Sequence, residues 1–211
     1  MGVIQELSHI LFPTRCFGCS AIGISICSQC RKEWHPHYYQ THVYGLKVHS
    51  AVLYSKTASK IILTAKENGI KGADNLIIDA ITHVIKQGNF DKHNLRLVPI
   101  PSSLSNSRRR GRNFVEEICK EVSRKCHIPF SPLLTIVKRV EDQSGLSAKA
   151  RALNMKGAFG IKPGMHPLGD LLLIDDIVTT GATVTEASRA LHAGGFNLLG
   201  SVTACVTQPL R

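Results

Sequence analysis

Apolar positions recur along this chain with two different periods, and each change of period marks an element. VHSAVLY at 48–54 reads as a strand. Residues 58–68 and 73–87 carry apolar side chains at helical spacing, and the break from Gly69 to Gly72 divides them into two amphipathic helices. LRLVPIP at 95–101 is a strand that stops at a proline. The next helix places Phe114, Val115, Ile118, Val122 and Cys126 on one face, with Asn113 and Glu116 as its expected reciprocal cap. PLLTIVKRV at 132–140 reads as another strand, and EDQSGLSAKARALN as a polar loop running into a short helix. LLLI at 171–174 is a buried strand, and NLLGSVTACV at 197–206 is the last one. Between them TVTE, from Thr183, predicts a second capping box for a helix ending at Gly194-Gly195.

Strands alternating with helices predict an α/β fold, a parallel sheet with helices on its faces. No internal repeat is present. In such sheets ligands bind beyond the carboxyl ends of the strands. Three polar loops, 101–113, 139–150 and 175–183, are therefore expected together on one edge. The expected division is a stub and linker over 1–45, followed by the α/β domain over 46–211. The aromatic and histidine-rich stretch Trp34–Tyr44, with His35, His37 and His42, reads as linker rather than as a second metal site.

With 211 residues and 43% apolar content the chain can bury a core. No apolar run approaches the ~20 residues of a membrane-spanning helix. The start MGVIQELSHILF has no basic region, and Glu6 stands where a myristoylation signal needs a hydroxyl, so the expected location is the cytoplasm. The formal charge of +11, from 26 basic and 15 acidic residues, favours an anionic partner, nucleic acid or a phosphorylated small molecule. Charge alone does not choose between them, and it also serves solubility.

Four of the seven cysteines, Cys16, Cys19, Cys27 and Cys30, fall within fifteen residues as two C-x-x-C pairs. Each pair can aim two thiolates at one point, and four soft ligands suit a structural Zn²⁺ with no open position for catalysis. Two disulfides or a redox pair are the alternatives, disfavoured by the absent signal peptide and by the doubled motif. The short spacer predicts a compact knuckle or hairpin with Gly23 near its tip. Cys119, Cys126 and Cys205 read as buried hydrophobes.

The most informative stretch is LLLIDDIVTTGATV at 171–184. A core strand leads into two adjacent carboxylates, Asp175 and Asp176, and then a hydroxyl-rich glycine turn at a helix N-terminus. Thr179, Thr180, Gly181, Ala182 and Thr183 would offer backbone N–H groups, hydroxyls and the positive helix end to an anion, commonly a phosphate. Carboxylates are good acceptors for sugar hydroxyls and, through water, partners for Mg²⁺. A ligand with a phosphate beside a ribose diol answers both halves. A glycosidase-type pair is disfavoured because neighbours on a strand face opposite ways. An ordinary acidic turn before a capped helix would explain Thr183 and Glu186, but not the adjacent aspartates.

This stretch resembles the phosphoribosyl pyrophosphate (PRPP) motif of type I phosphoribosyltransferases. With LFPTRCFGC…ICSQC, VPIP…RRRGRNF and VKRVEDQSGLSAKARALNMKGAF in this order, the whole chain resembles the ComF family of late-competence proteins. The resemblance implies a phosphoribosyltransferase-type core preceded by a zinc ribbon or knuckle. Asp175 and Asp176 would then hold the ribose hydroxyls, as the catalytic pair, and 179–183 the 5′-phosphate. The turn at Pro101, Ser102 and Ser103 would face the pyrophosphate with Mg²⁺. Arg139 and Gln143, in 139–150, would belong to a flexible loop closing over the ligand. Arg112 and Asn113 match the family's R-G-x-N stretch loosely. Purine-salvage relatives carry an aspartate at the first loop position, and Thr179 cannot act as their base.

Two functions follow from the resemblance. One is pentosyl transfer from Mg²⁺-complexed PRPP to an acceptor that no motif identifies. The other is a non-catalytic PRPP-binding competence factor that handles single-stranded DNA, with Arg108, Arg109 and Arg110 on the phosphate backbone. Aromatics total 6%, and none lies among those arginines. A zinc-ribbon adaptor docking a protein partner, with a degenerate transferase domain, is a third possibility, and competence proteins are candidate partners.

Overall fold

The computed structural model describes residues 13–102, 104–138 and 147–207. Helix α1 (Ser28–Glu33) leads to strands β1 (Tyr39–Val43) and β2 (Leu46–Leu53), then to helices α2 (Lys56–Asn68) and α3 (Lys71–Gln87). Strand β3 (Leu95–Pro99) is followed by α4 (Leu104–Arg110), α5 (Phe114–Cys126) and β4 (Leu134–Ile136). The chain continues through α6 (Ala148–Met155), β5 (Phe159–Ile161), β6 (Asp170–Val178), α7 (Ala182–Ala193) and β7 (Asn197–Val206).

The central sheet has the order β1-β2-β7-β6-β3. Its β2, β7, β6 and β3 run parallel, and β1 is an antiparallel edge. This is the expected α/β class, with apolar side chains on both faces as a doubly covered sheet requires. Leu172 and Ile174 point into one core with α2, α3 and α5; Leu171 and Leu173 point into another with α7 and the β4–β5 hairpin. No helix among the described residues is long and apolar enough to cross a membrane.

Several expectations change. Part of the stretch read as linker is strand β1, which closes the sheet edge by pairing residue for residue with β2; His35, His37 and His42 are exposed. Of the strand expected at 132–140, the described residues 132–138 form only β4, which pairs antiparallel with β5 outside the main sheet, and 139 and 140 lie outside the described residues. The polar loop at 101–113 contains helix α4. Neither predicted capping box forms. Asn113 makes no side-chain cap bond, and Glu116 pairs with Lys120 instead. Helix α7 starts at Ala182 behind Gly181, so Thr183 lies inside it and Glu186 binds Arg189 at 2.6 Å.

The cysteine stub is continuous with the first core. Cys16, Ile26, Cys30 and Trp34 are buried there, and Trp34 Nε1 donates to the Leu76 carbonyl of α3 at 3.3 Å. Arg15 and Ile22 form an antiparallel bridge with the turn at 17–19, so Gly23 lies at the open end of that hairpin rather than at its tip.

Candidate functional site

Strand β6 continues through both aspartates, which lie inside it rather than after it. They are buried, Asp175 at 9% and Asp176 at 4% exposure. Strand alternation puts Asp176 on the face of Leu172 and Ile174, towards α2. There Lys66 Nζ meets Asp176 Oδ2 at 2.6 Å. Asp175 Oδ1 accepts the backbone N–H of Asp176 at 2.9 Å.

The two carboxyls titrate apart. Burial, and then the charge of Asp176, hold Asp175 well above the usual carboxylate range. Burial pushes Asp176 up as well, but the Lys66 ammonium outweighs it and leaves Asp176 below that range. The two carboxyls are shifted in opposite directions, and the Lys66 ammonium stands against the one that is lowered. This answers how two like charges share a strand end.

Beyond Val178 the chain turns through Thr179 and Thr180 into α7. Gly181 adopts φ +78°, and a Cβ there would overlap Val43 Cγ1, so the turn excludes every other residue type as it stands. Thr207 on the β7 side donates its hydroxyl to the Thr179 carbonyl at 2.8 Å and pins the turn. Ala182 and Thr183 open a twelve-residue helix, whose first N–H groups and positive end face the turn. Arg151 of α6 donates from Nη1 to Thr179 Oγ1 at 3.3 Å.

Strand β3 lies beside β6, and Ile100 N donates to the Ile174 carbonyl at 3.0 Å. Pro101 and Ser102 follow directly, half-buried on the same sheet edge as Asp175. They line a cavity of about 210 Å³ with Asn113, Glu116, Thr135 and Lys162. Ser103, Arg139 and Gln143 lie outside the described residues.

Arg108 and Arg109 are exposed, whereas the Arg110 side chain is only 8% exposed. Glu67 of α2 binds Arg109 at 3.3 Å and Arg110 at 2.8 Å. Arg109 and Arg110 thus pack against the last turn of α2, the turn whose Lys66 meets Asp176. Arg112 bridges α3 and α5 through Asp74 at 2.9 Å and Glu117 at 2.6 Å.

In the stub, the sulfurs of Cys16, Cys19, Cys27 and Cys30 lie within 4.8 Å of one another. Cys19 Sγ and Cys27 Sγ are 3.7 Å apart, close to the about 3.8 Å edge of a tetrahedron with Zn–S bonds of about 2.3 Å. All four are free thiols. Burial raises the Cys16 thiol, but backbone donors from Cys27, Cys19 and Gly18 bring it down to about 6, while burial pushes Cys30 up. A set of four soft donors, one already poised as thiolate, fits Zn²⁺.

Sequence reasoning missed Lys66 and Arg151. Both sit on helices remote in sequence from the motif, and nothing in their local pattern separates them from solvated basic residues.

The site defined here is a buried carboxylate pair leading into a glycine turn and a helix N-terminus on a mostly parallel sheet. No protein-family model matches the chain. Over 112 residues it is 38% identical to Competence protein F of Haemophilus influenzae, spanning 49% of this chain and 48% of that protein. It is 34% identical over 104 residues to DNA utilization protein YhgH of Escherichia coli K12, spanning 47% and 44%. The chain thus matches about half the length of these curated relatives. Among solved structures, an adenine phosphoribosyltransferase aligns with 87% of this chain and 92% of its own, at 15% identity and a TM-score of 0.45.

Proposed function

We propose that this protein binds Mg²⁺-complexed PRPP and acts as a phosphoribosyltransferase-like competence protein in the cytoplasm. The observation that carries the reading is the continuity of Asp175–Asp176 with the Gly181 turn on one strand-loop-helix unit. Asp176 accepts one ribose hydroxyl, and Asp175 takes the second. The 5′-phosphate lies against the N–H groups and hydroxyls of 179–183. The Pro101-Ser102 turn, one strand away, faces the pyrophosphate.

In pentosyl transfer the bond from the anomeric carbon to pyrophosphate breaks as an acceptor nucleophile attacks that carbon, and positive charge builds on the ribose ring. The carboxylate of Asp176 stabilises that charge. Mg²⁺, bound with the substrate, supplies neutralisation of the departing pyrophosphate. The cavity beside Pro101 and Ser102 is roomy enough for a small acceptor. Thr179 provides no base for a purine.

Binding should raise the melting temperature of the zinc-loaded protein in proportion to the logarithm of Mg·PRPP concentration. Pyrophosphate release with a panel of acceptors then separates a transferase from a binding protein. No thermal shift up to millimolar Mg·PRPP would sink the reading.

A second reading concerns DNA. The exposed Arg108 and Arg109, the net charge of +11 and the names of the relatives support binding of a single strand at the edge of the same site. Oligonucleotide binding that competes with Mg·PRPP would support it. Binding indifferent to both PRPP and Arg108/Arg109→Ala would contradict it.

A further inference from the structure

We infer that Arg151 is a direct phosphate ligand of this site, giving it a guanidinium that selects a dianionic phosphate monoester. The inference rests on the reading of 179–183 as a phosphate loop. Arg151 belongs to α6, and no part of the argument for the loop used it.

Among the described residues Arg151 forms no ion pair. Its Nη1 rests 3.3 Å from Thr179 Oγ1, and its Nε is buried with no hydrogen-bond partner. Two other half-buried arginines are paired: Arg110 with Glu67, and Arg112 with Asp74 and Glu117. A threonine hydroxyl cannot balance a guanidinium charge, and a buried donor without an acceptor is costly. The donors that remain belong to a rigid planar fork that matches phosphate oxygens two at a time. The fork stands at the first residue of the loop that leads into α7.

Thr179 is what leaves the fork available. A carboxylate at this position would lie within salt-bridge reach of Arg151 and neutralise it. With threonine there, the guanidinium adds a full charge to the partial charges of the helix end. It also ties α6, and with it the chain entering α6 at Ser147, to the occupied loop. Ser147 caps α6 by accepting from Ala150 N at 3.3 Å, so the element carrying the arginine is itself anchored.

Arg151 is therefore a binding residue whose contribution follows the charge of the phosphate. Ribose 5-phosphate passes from monoanion to dianion near pH 6, so affinity should rise across that pH in wild type and rise less without the guanidinium.

The test is calorimetric titration of ribose 5-phosphate and of Mg·PRPP at pH 5.5 and pH 7.5, using wild type, Arg151→Met and Arg151→Lys. The expected result is a loss of about tenfold to hundredfold for Arg151→Met with both ligands at pH 7.5, from the loss of a charge-assisted pair. The pH dependence should flatten, and Arg151→Lys should recover part of the affinity. Circular dichroism and melting temperature identify any variant that fails to fold, and Arg151→Lys then carries the test through its pH profile. Wild-type binding with unchanged affinity and pH profile in Arg151→Met overturns the assignment of Arg151 while the phosphate loop stands. Wild type that binds neither ligand overturns the reading of the loop itself.

Discussion

Lys66 and Asp176 meet at 2.6 Å where helix α2 ends against strand β6, with Asp176 at 4% and Lys66 at 22% side-chain exposure. The ammonium lets a carboxylate stay ionised in a core, and it holds the oxygen that a sugar hydroxyl would approach. Lys66→Met leaves that charge buried and unpaired. The expected cost is about 2–3 kcal/mol of folding stability, less than the about 3–5 kcal/mol of fully buried pairs because Lys66 keeps some solvent. Urea denaturation checks this, and a change under about 0.5 kcal/mol would mark the contact as a surface pair.

Asp175 adds a pH dependence of defined sign. Its folded pKa is raised by burial and by Asp176, so the folded chain binds a proton that the unfolded chain releases above about pH 4. Its contribution therefore falls as pH rises from the unfolded value to the raised folded one. Asp176, lowered through Lys66, works the other way: its contribution is present above the unfolded carboxylate pKa and is lost as pH falls through its folded value. Denaturation midpoints of zinc-loaded protein between pH 5.5 and 8 should decline more steeply for wild type than for Asp175→Asn. Equal slopes would show that Asp175 is ionised throughout.

Gly181 and Val43 form a second coupled pair. An alanine at 181 meets Val43 Cγ1 and must hold φ +78°, which costs about 1–2 kcal/mol before any clash. Gly181→Ala should destabilise by about 3 kcal/mol and weaken phosphate binding, since relief of the clash requires the loop or β1 to move. Val43→Ala combined with Gly181→Ala should show a coupling of about 1 kcal/mol or more in a double-mutant cycle. Strict additivity would mean the loop shifts without touching β1.

Much of this was legible in the sequence because it is local. The two helices at 58–68 and 73–87, the final strand and the glycine helix end all appear close to their predicted bounds, since a buried face writes its own period. The two C-x-x-C pairs likewise announce a cluster of four thiols within fifteen residues. The rest depends on contacts between distant segments. Thr183 and Glu186 match a capping box, but Gly181 in the left-handed conformation starts the helix earlier and gives Glu186 to Arg189. Residues 132–140 have strand composition, yet among the described residues of that stretch only Leu134–Ile136 pair, and with Phe159–Ile161 rather than the main sheet. No local pattern could place Lys66 on Asp176 across 110 residues.

Metal removal has a direct reporter, because the chain's only tryptophan, Trp34, is buried four residues after Cys30. Chelation of zinc-loaded protein should red-shift Trp34 emission and lower the melting temperature, while leaving most helical circular dichroism in place. The shift should track zinc release measured with a metallochromic indicator. Release without a change in Trp34 emission would show that the stub holds its packing without metal.

Glu67 restrains two arginines beside the site. Glu67→Gln should free Arg109 and Arg110 and strengthen single-stranded oligonucleotide binding severalfold. It should also steepen the fall of log K with log salt by about 0.7 for each arginine that gains a phosphate contact. Fluorescence anisotropy at 50 and 200 mM salt reads both effects. An unchanged slope would place the nucleic-acid surface elsewhere.

Calorimetric titration of Mg·PRPP into the zinc-loaded protein, beside Asp175→Asn/Asp176→Asn, tests the central claim most directly. The expected result is saturable binding to wild type that the folded double variant loses at least tenfold. Equal binding by both proteins, or none by a folded wild type, would contradict the assignment of the Asp175–Asp176 strand end as the ribose site.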